Sequence, residues 1–213
     1  MMVITKNMIN TAEYDLYSAF IWGRRGIGKT SYAVKATRSY YEHTKGVDSD
    51  TAYQMALDDI LFSMDEMLKV LKSHGWRNKR EVIIMDDVGV HFSGYHHSSF
   101  VKEFGQLKSL LDGVRTSTKI LLMTAPNVES VAKFIQKYDN TRIRITNHSQ
   151  WNRVASGFVS YHIPSGKRYM KRKFTDSFSA RLPNWVFEQY NDKRELHKSE
   201  LIQILERKKK VEE

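Results

Sequence analysis

The sequence predicts an α/β fold in which helices cover both faces of a mostly parallel β-sheet. Short apolar runs alternate along the first 150 residues with longer segments whose apolar side chains recur at helical spacing. The run at 82–85 is continuously apolar, which is typical of a parallel strand buried on both faces. A glycine cluster directly follows the first apolar run and leads into a helical pattern. Together these three observations favour a layered sheet.

The elements of this sheet follow one another with short breaks. Leu16 to Trp22 is apolar and aromatic and is predicted to be the first strand, and a helical pattern begins at Lys29. A polar break at 77–80 precedes the strand at 82–85. The other predicted elements are a peripheral strand at 60–63, a helix at 64–72, a helix at 100–114, a strand at 119–124, a helix at 129–138 and a strand at 142–145.

Beyond residue 150 the pattern changes to near-alternation of apolar and polar residues. Two such runs, 154–163 and 167–174, are joined by the turn-forming residues 164–166, and this order predicts a β-hairpin. A helix is expected at 184–210, with Asn184 as its N-cap. The chain is therefore expected to comprise a core at 1–150 and an extension at 151–213, made of the hairpin and this helix.

The glycine cluster carries the most specific motif of the chain. Residues 23–30 read GRRGIGKT and match the phosphate-binding pattern GxxxxGKT at every required position, between a strand and a helix. Glycines let main-chain N–H groups surround a phosphate, and the helix presents its positive end to the same anion. Lys29 is predicted to reach the β- and γ-phosphates of ATP. The expected nucleotide contacts are Gly23, Arg24, Arg25, Gly26, Ile27, Gly28, Lys29, Thr30 and Ser31.

Two aspartates complete a predicted magnesium and hydrolysis site. Asp86 and Asp87 directly follow the buried strand at 82–85. The Thr30 hydroxyl is expected to ligate Mg²⁺, with Asp86, at the end of the buried strand at 82–85, holding the ion through water. Asp87 is placed to orient the attacking water. The expected cofactors are therefore ATP and Mg²⁺, and the expected enzyme is an ATPase.

The order of these motifs resembles that of P-loop ATPases with an additional strand, the AAA+ and RecA-like class. Asp86, Asp87, Val88 and Gly89 are similar to the DD-(aliphatic)-G signature of replication initiators, helicase loaders and transposition helper ATPases, and the resemblance covers about residues 16–145. Small ATPases of archaeal viruses and plasmids also resemble this layout. The resemblance implies a three-layer P-loop NTPase fold with sheet order 5-1-4-3-2 and ATP-driven assembly.

The resemblance further implies two kinds of catalytic residue. A polar sensor is expected at the end of the strand at 119–124, where Thr124 is the first candidate and Asn127 the second. An arginine finger is expected from the next subunit of a homo-oligomer, with Arg142 as first candidate, followed by Arg115 and Arg144. Two departures from the pattern are visible. Asp87 stands where a glutamate is common, which predicts slower hydrolysis or a nucleotide switch, and a basic hairpin stands where a helical lid is usual.

The basic charge of the chain is concentrated towards its C-terminal part. The formal net charge is +10, and residues 141–175 contain eight Lys or Arg and no acidic residue. Such a patch predicts binding to a phosphate backbone, with DNA preferred over RNA, while a merely solvated basic face is the alternative. Aromatic residues between these cations could stack on bases or pack on the sheet. The candidate nucleic-acid residues are Lys167, Arg168, Lys171, Arg172 and Lys173.

Other features of the sequence exclude several kinds of site and indicate where the protein acts. Cysteine is absent, which excludes disulfides, thiolate zinc sites and cysteine nucleophiles. His91, His96 and His97 have no zinc-site spacing and are expected in a loop near the nucleotide. Neither a membrane span nor a signal sequence is apparent, so the expected location is the cytoplasm, or the host cytoplasm for a viral or plasmid protein.

Two functions from different classes remain open at this stage. The first is an oligomeric ATPase that acts on DNA in replication initiation, helicase loading or genome translocation, in a mobile element. The second is a nucleotide-dependent assembly or secretion ATPase whose basic extension meets a protein or a membrane surface. A small-molecule kinase is disfavoured, because Asp87 and Thr124 suit activation of water better than binding of an acceptor.

Overall fold

The structure is a computed structural model that describes residues 1–88, 113–127, 141–162 and 168–212. Its named helices are α1 (Val3–Ala12), α2 (Lys29–Lys45), α3 (Ser49–Asp58), α4 (Met64–Ser73) and α5 (Asn184–Glu212), and residues 113–117 are also helical. Its strands are β1 (Tyr17–Trp22), β2 (Ile60–Leu61), β3 (Arg80–Met85), β4 (Thr118–Ala125), β5 (Thr141–Asn147), β6 (Asn152–His162) and β7 (Arg168–Ser179).

The strands form one sheet in the order β2-β3-β4-β1-β5-β6-β7. The strands β1 to β5 are parallel and reproduce the predicted order 5-1-4-3-2. Tyr17 lies opposite Ile120 of β4, and Ala19 lies opposite Thr141 of β5. The predicted hairpin is present as β6 and β7, which are antiparallel and extend the sheet beyond β5. The mixed α/β fold is therefore confirmed, with two antiparallel strands added at one edge.

The central strands are continuously apolar because both of their faces are covered. Every residue of β4 except Lys119 is buried, and the last four residues of β3 are buried too. On one face, Phe20, Ile83 and Leu121 pack in a core cluster with Met67 of α4. Val114, at the end of the predicted helix 100–114, belongs to the same cluster and is fully buried. Burial on both faces removes the alternation that a half-exposed strand would show.

The hairpin is tied to the helices on the other face through one buried carboxylate. Asp176 of β7 accepts hydrogen bonds from the backbone N–H groups of Val3 at 2.7 Å and Ile4 at 3.1 Å, at the start of α1. It also accepts one from the hydroxyl of Tyr32 in α2, at 2.8 Å. Burial, with the Asp176 charge beside it, raises the pKa of Tyr32. The hairpin therefore shares polar contacts with the helix that starts at the phosphate loop.

Two helices were not predicted from the sequence. In α3 the side chain of Asp48 caps the helix by accepting from the N–H groups of Asp50 and Thr51. No side chain of its own segment caps α1. Its first N–H groups bond instead to Asp176, more than 170 residues away. The local cap of α3 was thus a readable signal, whereas the cap of α1 exists only in the folded chain.

The chain divides into two compact units, Met1–Arg181 and Leu182–Glu213. The first contains the whole sheet with both hairpin strands, and the second consists mostly of α5. The boundary at residue 150 stays a prediction from the sequence. None of the described helices combines the length and apolarity that a membrane crossing requires. Outside the described residues lie the helix at 129–138, most of 100–114, the turn at 164–166, Gly89, His91, His96, His97 and Lys167.

Candidate nucleotide-binding site

The loop at 23–30 connects the end of β1 to the start of α2, as the motif predicts. Gly28 has φ 98°, a left-handed conformation that glycine adopts without a side-chain clash. A Cβ atom at Gly28 would lie 3.0 Å from the Cβ of Ala180, and one at Gly23 would lie 2.8 Å from the carbonyl oxygen of Ile145. The two glycines are therefore required by the close approach of β5 and of the residues that follow β7.

Lys29 folds back across the loop, whereas the two loop arginines face solvent. The Nζ of Lys29 donates to the carbonyl oxygens of Gly23 at 3.0 Å and Arg24 at 3.2 Å, so its side chain folds back across the loop. The first turn of α2 contains no acidic residue to offset the positive end of the helix. Ile27 is buried and anchors the loop. Arg24, Arg25 and Gly26 are exposed, and Ser31 is half-buried.

The predicted magnesium residues meet in the fold. The hydroxyl of Thr30 donates to Oδ1 of Asp86 at 2.7 Å. The N–H of Asp86 donates to the carbonyl of Leu61 at 3.0 Å, which holds the residue at the end of β3 against β2. A hydroxyl and a carboxylate oxygen are hard ligands that suit Mg²⁺, which is usually bound by one or two protein oxygens together with phosphates. The donor set at Thr30 and Asp86 therefore fits the predicted ion.

Thr124 lies between the two aspartates. Its hydroxyl donates to Oδ1 of Asp86 at 2.7 Å and accepts from the backbone N–H of Asp87 at 3.0 Å. Thr124 is 1% exposed. Asp87 has φ 50°, a left-handed conformation that is uncommon for a residue with a side chain. The end of β4 thus holds the backbone of Asp87 in place and orients Asp86, while the sensor role of Thr124 and the water-orienting role of Asp87 stay predictions.

The three candidate arginines lie at different positions relative to the loop. Arg144 is exposed and pairs with Trp22, the last residue of β1 before the loop. Arg142 is half-buried and pairs with Phe20, two residues further back. Arg115 is exposed and precedes β4, so it lies at the amino ends of the parallel strands, opposite to the ends that carry the loop. Which of them serves as a finger for a neighbouring subunit stays a prediction.

A pocket of about 440 Å³ opens beside the loop, at the carboxyl ends of β4, β1 and β5. This volume falls within the range of small-molecule sites, and the carboxyl ends of parallel strands are where open α/β sheets bind ligands. The second sensor candidate, Asn127, is exposed directly after one lining residue, Pro126. The other lining residues are Trp22, Gly23, Arg24, Ile27, Arg144, Ile145, Thr146 and Asn147.

A residue that the sequence did not assign to the site is Arg153. Its Nε donates to the carbonyl of Ile27 in the loop at 3.1 Å, and its Nη1 donates to the carbonyls of Ser149 at 2.8 Å and Gln150 at 3.1 Å. Arg153 was counted only as one cation of the basic segment. Because 126 residues separate it from Ile27, no local pattern could have signalled this contact.

Four of the five candidate nucleic-acid residues lie on β7, where Lys171, Arg172 and Lys173 are exposed. Tyr169 is 48% exposed and stacks on Tyr161 with ring centroids 5.4 Å apart. Lys173 places its Nζ 5.0 Å from the Tyr161 ring centroid. Arg168 begins β7, and Lys167 lies outside the described residues.

Two other aromatics of the basic segment pack inward. Phe174 is buried, with its ring against Gly157, where an added Cβ would come within 2.1 Å of it. Phe158 is half-buried, and its ring centroid lies 6.4 Å from that of Trp22. For these two rings the alternative of packing on the sheet is therefore the observed one, which leaves Tyr161, Tyr169 and Trp151 as candidates for stacking on bases.

The strand order, the glycine loop and the Thr30–Asp86 pair define a P-loop nucleoside triphosphatase fold with an additional strand. The chain matches no model of a known protein family. It is 26% identical over 203 residues to a curated relative, "Uncharacterized protein B-251" of Sulfolobus spindle-shape virus 1, which covers 89% of this chain and 78% of that protein. A viral relative is therefore established.

Two solved structures resemble the chain more loosely. One is the N-terminal domain of zonular occludens toxin from Neisseria meningitidis, with a TM-score of 0.43, 13% identity and coverage of 76% of this chain and 95% of that chain. The other is the ATPase domain of a second protein, with a TM-score of 0.41, 9% identity and coverage of 73% of this chain and 80% of that chain. At these values the likeness carries no information on function.

Proposed function

We propose that the protein binds ATP with Mg²⁺ in the loop at 23–30, hydrolyses it, and couples hydrolysis to work on DNA in replication initiation, helicase loading or genome translocation of a mobile element. The observation that carries the nucleotide part is the 2.7 Å hydrogen bond from Thr30 to Asp86 at the foot of the loop. It brings together the two oxygens that the metal of a bound nucleotide requires.

Each residue of the loop has a distinct part in holding the nucleotide. The main-chain N–H groups of the loop and of the first turn of α2 surround the phosphates. Lys29 exchanges its contacts with the Gly23 and Arg24 carbonyls for the β- and γ-phosphate oxygens. Thr30 and Asp86 hold the magnesium ion, which when bound neutralises the charge that develops between the β- and γ-phosphates.

Hydrolysis requires a group that orients water towards the γ-phosphate. Asp87 follows the metal-binding Asp86 and is fixed through its backbone by Thr124. Its carboxylate is the candidate acceptor for the proton of the attacking water. Thr124, which contacts both aspartates, is a candidate to transmit the state of the γ-phosphate to β4.

The basic strand β7 supports a nucleic-acid partner. Three consecutive exposed cations, Lys171, Arg172 and Lys173, adjoin the stacked pair of Tyr161 and Tyr169. Cations hold phosphates, and exposed aromatic faces stack on unpaired bases. This combination favours single-stranded DNA over a duplex, because bases are accessible to stacking only where they are unpaired.

ATP turnover by the wild type and by Lys29→Ala, with and without single- or double-stranded DNA, tests the proposal directly. The wild type should hydrolyse ATP and respond to DNA, and Lys29→Ala should lose hydrolysis. The triple variant Lys171→Gln, Arg172→Gln, Lys173→Gln should keep basal turnover and lose the response. Its control removes the same charge from the exposed Lys69, Lys72 and Arg77.

The salt dependence of DNA binding tests whether β7 contacts the phosphates of a DNA partner. The slope of log K against log salt concentration should fall by about 0.7 for each phosphate contact removed from a single strand. If the triple variant and its control bind DNA equally, β7 is not the DNA surface. Binding of the wild type to anionic vesicles but not to DNA would instead favour the assembly or secretion alternative.

A mixing experiment tests the arginine finger in trans. Lys29→Ala subunits cannot turn over ATP but keep all three arginines, whereas Arg142→Ala subunits keep the loop. If Arg142 acts on its neighbour, mixing the two inactive proteins should restore turnover in mixed oligomers. The same mixture with Arg115→Ala or Arg144→Ala examines the other two candidates, and a finger that acts within its own subunit would give no recovery in any mixture.

A further inference from the structure

A stacked pair of Trp151 and Arg181 lies next to the phosphate loop. The guanidinium carbon of Arg181 lies 3.6 Å from the Trp151 ring centroid. Trp151 is nevertheless 46% exposed, and Arg181 is exposed too. Arginine over an exposed indole gives a flat, positively charged surface that attracts aromatic rings.

Two contacts fix this pair beside the loop. The N–H of Ala180 donates to the carbonyl of Trp151 at 2.9 Å, and Ala180 packs so closely on Gly28 that an added Cβ there would meet it at 3.0 Å. Arg153 joins the carbonyl of Ile27 to those of Ser149 and Gln150, just before Trp151. The turn that carries Trp151 and the residue before Arg181 are thus both held by the second half of the loop.

The second half of the loop is the side from which a nucleoside would leave the phosphate cradle. In the proposed binding mode the α-phosphate would lie at the N–H groups of the start of α2, with the ribose and base beyond it. The end of β7 runs along this side, since the ring of Phe178 lies 4.8 Å from that of Tyr32 in the first turns of α2. The 440 Å³ pocket is lined by Gly23, Arg24 and Ile27 of the loop and by the ends of β4, β1 and β5, and neither Trp151 nor Arg181 is among its lining residues.

We propose that the Trp151–Arg181 pair is the stacking surface for the base of the nucleotide whose phosphates occupy the loop, an inference that rests on the proposed function. The affinity that stacking provides increases with the area of the ring, and stacking does not distinguish bases by the hydrogen-bonding groups on their edges. The site therefore takes purine nucleotides, ATP and GTP alike, in preference to CTP and UTP. Arg153 is a positioning residue that holds the turn of Trp151 against Ile27.

Paired titrations with Mg²⁺·ATP and with Mg²⁺·tripolyphosphate, which has the phosphates but no base, test this. Trp151→Ala should weaken ATP binding by about tenfold to a hundredfold, the range of one lost stacking contact. Tripolyphosphate binding should not change. Trp151→Phe, which keeps a ring, should retain most of the ATP affinity, and Arg181→Gln should weaken ATP more than tripolyphosphate.

A matched control exists in the same chain. Trp76 is 70% exposed and stacks with Arg77, whose guanidinium carbon lies 4.7 Å from its ring centroid, but it lies between α4 and β3. Trp76→Ala removes an equivalent exposed pair and should leave ATP affinity and the preference for purines unchanged.

The outcomes separate this inference from the proposed function. If Trp151→Ala and Trp151→Phe both bind ATP like the wild type, or if Trp151→Ala loses ATP and tripolyphosphate equally, the pair is not the base site. If Trp151→Ala weakens only the binding of single-stranded DNA, the pair belongs to the nucleic-acid surface and the inference is also wrong. ATP binding that survives Lys29→Ala unchanged would refute the loop as the nucleotide site, whatever the result at Trp151.

Discussion

The hydroxyl of Thr124 accepts a hydrogen bond from the backbone N–H of Asp87 at 3.0 Å, across the ends of two adjacent strands. The same hydroxyl donates to Asp86 at 2.7 Å. One buried side chain thus orients the candidate metal ligand and holds the uncommon backbone conformation of the candidate catalytic residue.

Thr124→Val keeps the shape of the side chain and removes both hydrogen bonds. Because Asp86 is buried and loses a hydroxyl donor, the free energy of unfolding should fall by about 1–3 kcal/mol. ATP hydrolysis should fall more than ATP affinity, since the main chain of Asp87 is no longer held. Thr124→Ser retains the hydroxyl and should recover most of the activity. Urea unfolding and steady-state kinetics measure the two effects, and equal loss of kcat in both variants would contradict the role of the hydroxyl.

Asp86→Asn separates metal binding from phosphate binding. Loss of the charged ligand should weaken Mg²⁺·ATP by about 10- to 100-fold, corresponding to about 1.5–3 kcal/mol for a charged contact. ATP without metal should bind the variant as well as or better than the wild type, because one negative charge near the phosphates is gone. Calorimetric titration with Mg²⁺ and with EDTA compares the two conditions. A parallel loss in both would show that Asp86 acts on the loop rather than on the ion.

Asp87→Asn tests the water-orienting carboxylate without disturbing the backbone. Asparagine tolerates the left-handed conformation that Asp87 adopts at φ 50°, so folding should be unaffected. Turnover should fall by about 10² to 10⁴, the usual contribution of a general base, while Mg²⁺·ATP affinity is kept. Single-turnover hydrolysis provides the measurement. Unchanged turnover would exclude Asp87 as the base.

Gly28→Ala examines the close packing of the loop on the residues after β7. A left-handed alanine costs about 1–2 kcal/mol, and the contact with Ala180 adds an overpacking cost of about 1–3 kcal/mol. Gly46→Ala is the matched control, because Gly46 has φ 67° and open space around it. Only Gly28→Ala should also lose ATP affinity. In the double variant Gly28→Ala, Ala180→Gly, thermal unfolding should show partial recovery, and a purely additive result would show that the two sites are independent.

The stability of the protein should depend on Asp59 between about pH 4 and pH 7. Burial raises the pKa of Asp59 to about 7, against the opposing effects of Tyr41 and Arg80. Because the folded state holds this proton more tightly than the unfolded state, the stabilisation is complete below the unfolded pKa near 4 and is lost as the pH rises through 7. Asp59→Asn should flatten this dependence in urea unfolding, while Asp58→Asn, which removes a neighbouring charge that contributes to the raised pKa of Asp59, should only move the dependence to lower pH. A variant curve parallel to that of the wild type would exclude Asp59 as the source.

Much of the fold was readable because its signals are local. The continuous apolarity at 82–85 indicated a strand buried on both faces, and β3 spans Arg80–Met85 between β2 and β4. The near-alternation beyond Trp151 indicated the hairpin, and β6 pairs with β7 as expected. The helix α3 was not predicted, although Asp48 is a typical N-cap residue directly before it.

By itself the sequence determined the glycine loop, the residues that line it and the two aspartates after β3, because each of these motifs consists of residues adjacent in the chain. Only the tertiary structure decided that the hydroxyls of Thr30 and Thr124 both donate to Oδ1 of Asp86. It also placed Arg153, Ala180 and the Trp151–Arg181 pair against the loop. The physical reason is the order of the sheet. Placing β4 between β3 and β1, and adding the hairpin beyond β5, brings together residues that are 38 to 126 positions apart in the chain.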